Sequence, residues 1–249
     1  MVDDELFVTS LADRLAGLTG VEAVSLGGSR ASGRHRPDSD WDLGLYYRGV
    51  LDPDEIRRLG YPGEVSEIGG WGGGVMNGGA WLSVEGRNVD LHYRDLADVE
   101  RCIDEAEDGH FHKELLAFHL AGVPSYLPAA ELGSGRTLVG HLPRPAMPPT
   151  LRVTGRIRWH DDAQLSLGYA RAALTGEGDL VVAAGNVARG VIEEAHSRCC
   201  ARGEWVTNEK GLVERAGLGV VAAALARRSA DGIHDAVDRL ADELVHALV

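Results

Sequence analysis

The sequence predicts an α/β unit followed by a mostly helical unit, and three observations carry that reading. The first hundred residues mix short alternating stretches with Gly-rich turns. From about Leu96 the periodicity turns helical and stays so to the end of the chain. A proline-rich stretch, Leu142-Pro143-Arg144-Pro145-Ala146-Met147-Pro148-Pro149, interrupts the second half where neither helix nor central strand can run. The boundary falls near residue 105, which divides the 249 residues into units over 1–105 and 106–249.

The elements follow in order. Residues 3 to 18 form an amphipathic helix by pattern, with Phe7, Leu11, Leu15 and Leu18 at helical spacing and Gly17 and Gly20 around its end. Val21 to Leu26 alternates as a half-buried strand, a polar loop runs from Gly27 to about Ser39, and Trp41 to Tyr47 forms a second strand. Ala80-Trp81-Leu82-Ser83-Val84 and Asn88-Val89-Asp90-Leu91-His92-Tyr93 read as antiparallel strands, with Glu85-Gly86-Arg87-Asn88 as hairpin chemistry between them. Gly69-Gly70-Trp71-Gly72-Gly73-Gly74 is too flexible for a core strand. It is expected as a loose hairpin, the alternative being a mobile flap with Trp71 or Asn77 over a ligand. Helical blocks are expected near 96–108, 111–122, 161–175, 179–202, 208–228 and 231–249.

Composition excludes several classes. Lys and Arg number 25 against 38 Asp and Glu, a formal charge of −13, so a phosphate backbone is repelled at long range and a nucleic-acid partner is disfavoured. No run approaches the roughly 20 apolar residues of a membrane-spanning helix. The start, Met1-Val2-Asp3-Asp4-Glu5, is acidic where a secretory leader is basic. Three scattered cysteines make neither a disulfide framework nor a zinc-type spacing. A cytoplasmic setting is expected.

Chemistry concentrates in Leu26-Gly27-Gly28-Ser29-Arg30-Ala31-Ser32-Gly33-Arg34-His35-Arg36-Pro37-Asp38-Ser39-Asp40-Trp41-Asp42-Leu43. A strand ending in Gly-Gly-Ser lets backbone N–H groups turn toward a ligand without Cβ interference. A helix starting at Ser29 would add its positive end, and Arg30, Arg34 and Arg36 supply a basic patch in an acidic protein. This is a candidate phosphate cradle. Asp40 and Asp42 stand two apart on a strand, so both side chains share a face, roughly 6.6–6.8 Å apart along the chain. Two carboxylates so placed repel unless a cation lies between them, and Mg2+ suits carboxylate and phosphate oxygens. Asp90 is the natural third carboxylate if its strand lies beside that of Asp42.

Several look-alikes carry less. Gly217-Leu218-Gly219-Val220-Val221-Ala222 has dinucleotide-motif letters but no preceding strand, and no P-loop is present. Cys199-Cys200 reads as packed thiols in a helix.

Gly28-Ser29, a spacer, Asp40-Trp41-Asp42-Leu43 and a later strand with Asp90 resemble the nucleotidyltransferase superfamily that includes DNA polymerase beta. The chain is most similar to stand-alone aminoglycoside- and lincosamide-type small-molecule enzymes. The resemblance covers roughly residues 20–95 and implies an α/β fold: a small mixed-sheet nucleotidyltransferase domain over 1–105, then a helical acceptor-binding domain over 106–249. It implies that Asp40, Asp42 and Asp90 are catalytic and hold two Mg2+ ions, with Mn2+ as a possible substitute. Gly28, Ser29, Arg30, Arg34 and Lys210 would bind the nucleotide. The implied reaction moves a nucleoside monophosphate from a triphosphate, ATP first among them, to a hydroxyl of a small acceptor such as an antibiotic, releasing pyrophosphate. Glu131, Glu193 and Glu194 are candidates for an additional general base. Transfer to RNA or protein, as in a toxin, and a catalytically silent nucleotide-binding module remain as alternatives.

Overall fold

The computed structural model describes residues 4–175, 178–227 and 229–246, and the chain forms two compact units. The first comprises residues 1–105 and 125–146, the second 106–124 and 147–249. The chain thus leaves the first unit near residue 105, returns to it for some twenty residues, and leaves again.

The first unit contains α1 (Asp4–Ala16), β1 (Val21–Leu26), α2 (Gly28–Ala31), β2 (Trp41–Tyr47), α3 (Pro53–Arg58), β3 (Gly63–Val65), β4 (Gly79–Val84), β5 (Arg87–Asp95) and most of α4 (Leu96–Glu107). After β6 (Lys113–Leu116) and β7 (His119–Pro124), which belong to the second unit, α5 (Leu127–Ser134) and β8 (Arg136–Val139) complete it. Its six strands form one mixed sheet in the order β3-β4-β5-β2-β1-β8. Only β2 and β5 run parallel; every other neighbour pair is antiparallel. Asp3, the expected first helical residue, lies outside the described residues.

Alternation decides what each face of this sheet does. Trp41, Leu43, Leu45, Val89, Leu91, Tyr93, Val24 and Leu26 point to one face, where α1 covers them with Phe7, Val8, Leu11 and Leu15. Each such burial contributes about 1.5–3 kcal/mol, which makes this the first unit's main core. The opposite face is covered at one end only: Ala23 and Tyr46 pack there with Leu96 and Val99 of α4 and Leu132 of α5. The other end of that face, where Asp42 and Asp90 stand, remains partly exposed. The β4–β5 hairpin turns through Glu85 and Gly86, both at positive φ (51° and 76°), the geometry that matches strand twist in a two-residue turn.

The Gly-rich segment before β4 is fastened down. Val75 and Met76 are buried, Arg94 donates to the Val75 carbonyl at 3.4 Å, and Asn77 donates to the Tyr47 hydroxyl at 3.1 Å.

The second unit contains β6 and β7, α6 (Pro149–Ala173), α7 (Leu180–Arg202), α8 (Leu212–Arg215), α9 (Gly219–Leu225) and α10 (Ala230–His246). The long helices α6 and α7 pack along each other around Ala163, Leu167, Val187, Val191 and Ala195, with Val237 and Leu240 of α10 closing the core. Asp179 caps α7 by accepting from the N–H groups of Val181 and Val182, and Gly203 ends it in the left-handed region.

Three helical expectations change here. Residues 111–122 are not helix: β6 and β7 form an antiparallel hairpin, because Gly122 sits at φ 92° and Pro124 lacks an N–H. The helix expected from 161 starts at Pro149, a residue tolerated in a first turn where its missing N–H costs nothing. The block 208–228 breaks into α8 and α9 at Gly211 and Gly217, both at positive φ. The last expected helix ends its description at His246, and residues 247–249 lie outside the described residues. The fold class is the expected one: a mixed α/β unit, then a mostly helical region.

Candidate active site

Backbone register assembles the site. Asp42 on β2 is paired with Asp90 on the parallel neighbour β5, so the two carboxylates project from adjacent strands on the same face. Asp90 is in turn paired with Trp81 on β4, and Trp81 with Glu64 on β3. At the other side of Asp42, the Gly27 N–H donates to the Asp42 carbonyl at 2.8 Å. One row across the sheet therefore runs Gly27, Asp42, Asp90, Trp81, Glu64.

Gly28 explains why this turn needs glycine. Its φ is 60°, and a Cβ there would stand 1.8 Å from Asp42 Oδ2. The backbone of the turn lies directly against the carboxylate, in space that any side chain would fill. Gly28→Ala is expected to displace Asp42 and lower activity by about a hundredfold, the cost of misplacing a reacting group by about 1 Å. Steady-state kinetics on a folded variant check this; unchanged activity would mean that the turn does not position Asp42.

The remaining sequence-derived residues separate into groups. Asp40 is exposed just before β2. Arg30 is committed to structure. Its side chain is only 6% exposed, its guanidinium donates to the Ser39 and Asp40 carbonyls and lies 4.0 Å over the Trp41 ring, and it pairs with Asp4. It fastens the loop that precedes β2. Arg34 is exposed beside the Ser32 hydroxyl. The expected helix after Gly28 is a single turn, α2, so its dipole adds little and backbone and side-chain donors must do the work. Lys210 is an exposed residue of the second unit, just before α8.

The three general-base candidates are all occupied by cations. Glu131 grips Arg94 with both oxygens, at 2.6 and 2.7 Å. Glu193 is fully buried and accepts from Ser166 at 2.6 Å and Arg189 at 2.9 Å, with Lys113 at 3.4 Å. Glu194, also fully buried, meets His160 at 2.9 Å and Arg198 at 3.0 Å.

Two histidines escaped sequence reasoning. His92 is two residues past Asp90 and shares its face; the alternation that selected Asp90 could have found it. Its Nδ1 is buried without a hydrogen-bond partner, and its ring meets Trp71 edge-on at 5.8 Å. Burial, reinforced by the Arg94 guanidinium, pushes its pKa down to about 4. His196 in the second unit stacks on Trp159 at 4.2 Å, with neither ring nitrogen hydrogen-bonded. Burial first, then the neighbouring His119 and Lys113, pushes it down to about 3.

Both histidines stay neutral in the folded chain below their ordinary pKa of 6.5, while the unfolded chain takes up those protons. The unfolded state then binds more protons, so stability is present above about 6.5 and is lost as pH falls toward 4. His92 alone should cost about 3 kcal/mol over that window. Urea unfolding at pH 7 and pH 4.5 is expected to show a smaller acid loss in His196→Phe than in the parent chain; equal losses would remove His196 from the account.

The donor set fits a divalent cation in an open site. Asp42 and Asp90 offer hard oxygen ligands side by side, and the Cβ-free backbone at Gly28 leaves room at one flank. Among the described residues no three His, Cys, Asp or Glu side chains gather as a closed metal cage. Mg2+ is ordinarily held in this open way, by one or two carboxylates and completed by substrate phosphates.

Residues 8–72 match the family model described as nucleotidyltransferase domain. That segment includes β1, the Gly27–Ser29 turn, Asp40 and Asp42, and it ends before Asp90. No curated protein matches the chain in sequence. Nucleotidyltransferase domains generally use divalent metal ions, consistent with the donor set. Residues 8–72 are therefore similar to a nucleotidyltransferase domain, and the Gly28 turn, Asp40 and Asp42 lie within that segment.

Proposed function

We propose that the protein transfers a nucleoside monophosphate from a nucleoside triphosphate, ATP first among them, to a hydroxyl of a small acceptor, with release of pyrophosphate. The observation that carries this reading is the in-register pair Asp42 and Asp90 beside the Cβ-free turn at Gly28. Gly28 and Ser29 hold the outer phosphates, with Arg34 as the exposed cation at the turn. Asp42 and Asp90, with Asp40 at the open end, would hold Mg2+, two ions in the full site and Mn2+ as a substitute. When bound, the cation neutralises phosphate charge and makes the acceptor hydroxyl more acidic. Asp90 receives the hydroxyl proton. The bond from the acceptor oxygen to the α-phosphorus forms as the bond from that phosphorus to the pyrophosphate oxygen breaks, in line.

A small acceptor is favoured over RNA because the chain carries a net charge of −13. Antibiotics of the aminoglycoside or lincosamide type belong to the acceptors to be screened. Three buried cysteines that form no disulfide accord with a cytoplasmic setting. The test incubates the protein with each of four α-labelled triphosphates and Mg2+, over a panel of hydroxyl compounds, RNA and protein. Label on a small hydroxyl compound supports the proposal. Label on RNA or protein alone would replace it with the macromolecular reading, and absence of any transfer would leave a nucleotide-binding module.

A further inference from the structure

We propose that Trp81, backed by Trp71, is the acceptor platform, and that the acceptor carries a flat unsaturated ring beside its reactive hydroxyl. This deepens the transferase reading above and rests on it. Trp81 is in register with Asp90 on the next strand, on the same face, and is 50% exposed. Trp71 stacks on it with ring centroids 4.7 Å apart and planes 22° apart. Nothing in the core requires an indole at this position; its neighbours on β4, Ala80 and Leu82, supply the buried side.

The backing ring is held in place from three sides. Gly79 lacks a Cβ where one would meet the Trp71 ring at 2.5 Å, and His92 meets that ring edge-on. The segment carrying Trp71 is tied down through Val75, Met76 and Asn77. A large aromatic pair held rigidly with one member half in solvent is suited to binding a ring, since it loses little conformational freedom when a ligand stacks.

The order of the row identifies which ring. From the Gly28 turn the sheet presents first Asp42, then Asp90, then Trp81. In an in-line displacement the entering oxygen stands opposite the leaving pyrophosphate. If the outer phosphates sit at Gly28 and the α-phosphate between the two carboxylates, the entering group comes from the Trp81 side. Adjacent strands are about 4.8 Å apart, so a hydroxyl held at Asp90 can belong to a molecule whose ring covers Trp81. The nucleobase is the competing occupant.

The experiment follows the tryptophan indole N–H signals of the 15N-labelled full chain, with those of Trp71 and Trp81 assigned from Trp71→Phe and Trp81→Phe. Probes are ATP with Mg2+, 2-phenylethanol, and its saturated counterpart 2-cyclohexylethanol. The expected result is that 2-phenylethanol shifts the Trp81 and Trp71 signals and binds more tightly than 2-cyclohexylethanol. Trp81→Leu should weaken its binding about tenfold and Trp81→Phe much less, as for loss and retention of one stacking partner. ATP with Mg2+ should bind Trp81→Leu as tightly as the parent chain.

Absence of a shift with 2-phenylethanol, or equal binding of the two alcohols, would overturn the platform. A Trp81 shift with ATP, together with weaker ATP binding by Trp81→Leu, would overturn the acceptor assignment in favour of the base. Failure of ATP with Mg2+ to bind the parent chain would sink the phosphate-site reading, and the acceptor assignment with it, whatever 2-phenylethanol does.

Discussion

Asp42→Asn and Asp90→Asn are each expected to lower nucleotidyl transfer by about a thousandfold, the equivalent of ~4 kcal/mol of transition-state stabilisation. Asparagine keeps the size of the side chain and one oxygen but loses the negative charge, so the strand pairing survives while the affinity for a hard cation does not. The two positions occupy one register step on parallel strands, and in the proposed reaction each faces the same developing charge. The double variant should therefore lose little more than either single variant, because groups acting as a unit are not additive. Asp40→Asn provides the contrast: its exposed position before β2 leads to a smaller loss. Pyrophosphate release under Mg2+ saturation measures all four. Transfer that persists in Asp42→Asn at near-parental rate would remove this carboxylate from the reaction.

Glu131→Ala should destabilise the first unit by about 3–5 kcal/mol, the range for removing one partner of a buried ion pair. Arg94 is 2% exposed and its guanidinium faces Glu131 in a two-point pair, so the alanine variant leaves a buried charge without its carboxylate. Glu131→Gln keeps an acceptor and should lose less. The consequences reach the site, since Arg94 also holds the Val75 carbonyl and so the segment that carries Trp71. Urea denaturation gives the measurement. A loss under about 1 kcal/mol would show that water reaches Arg94 in place of the lost carboxylate, as at an exposed pair.

Much of the first unit could be read from local pattern. The strands holding Asp42 and Asp90 announce themselves by alternation, and Gly28 by the need of a tight turn for a residue without Cβ. The residues that sequence reasoning misplaced are those whose roles depend on distant partners. Arg30 looks like a phosphate ligand beside Gly28, yet the carbonyls of Pro37, Ser39 and Asp40 and the Trp41 ring take up its guanidinium. Glu131, Glu193 and Glu194 look equivalent as carboxylates until their cations are seen. The hairpin over 113–124 was hidden by apolar spacing that suits a helix; Gly122 and Pro124 were the available warning.

The sequence by itself determined the fold class, the turn at Gly28, and the face on which Asp42 and Asp90 stand, because period and backbone sterics are local properties. Only the tertiary structure decided that β2 and β5 are parallel neighbours, that residues 125–146 return to add β8, and that Trp81 stands beside Asp90. Strand pairing joins segments nearly fifty residues apart through backbone hydrogen bonds, which are the same for every side chain. Which strand lies beside which is therefore fixed by how the whole unit buries its apolar surface.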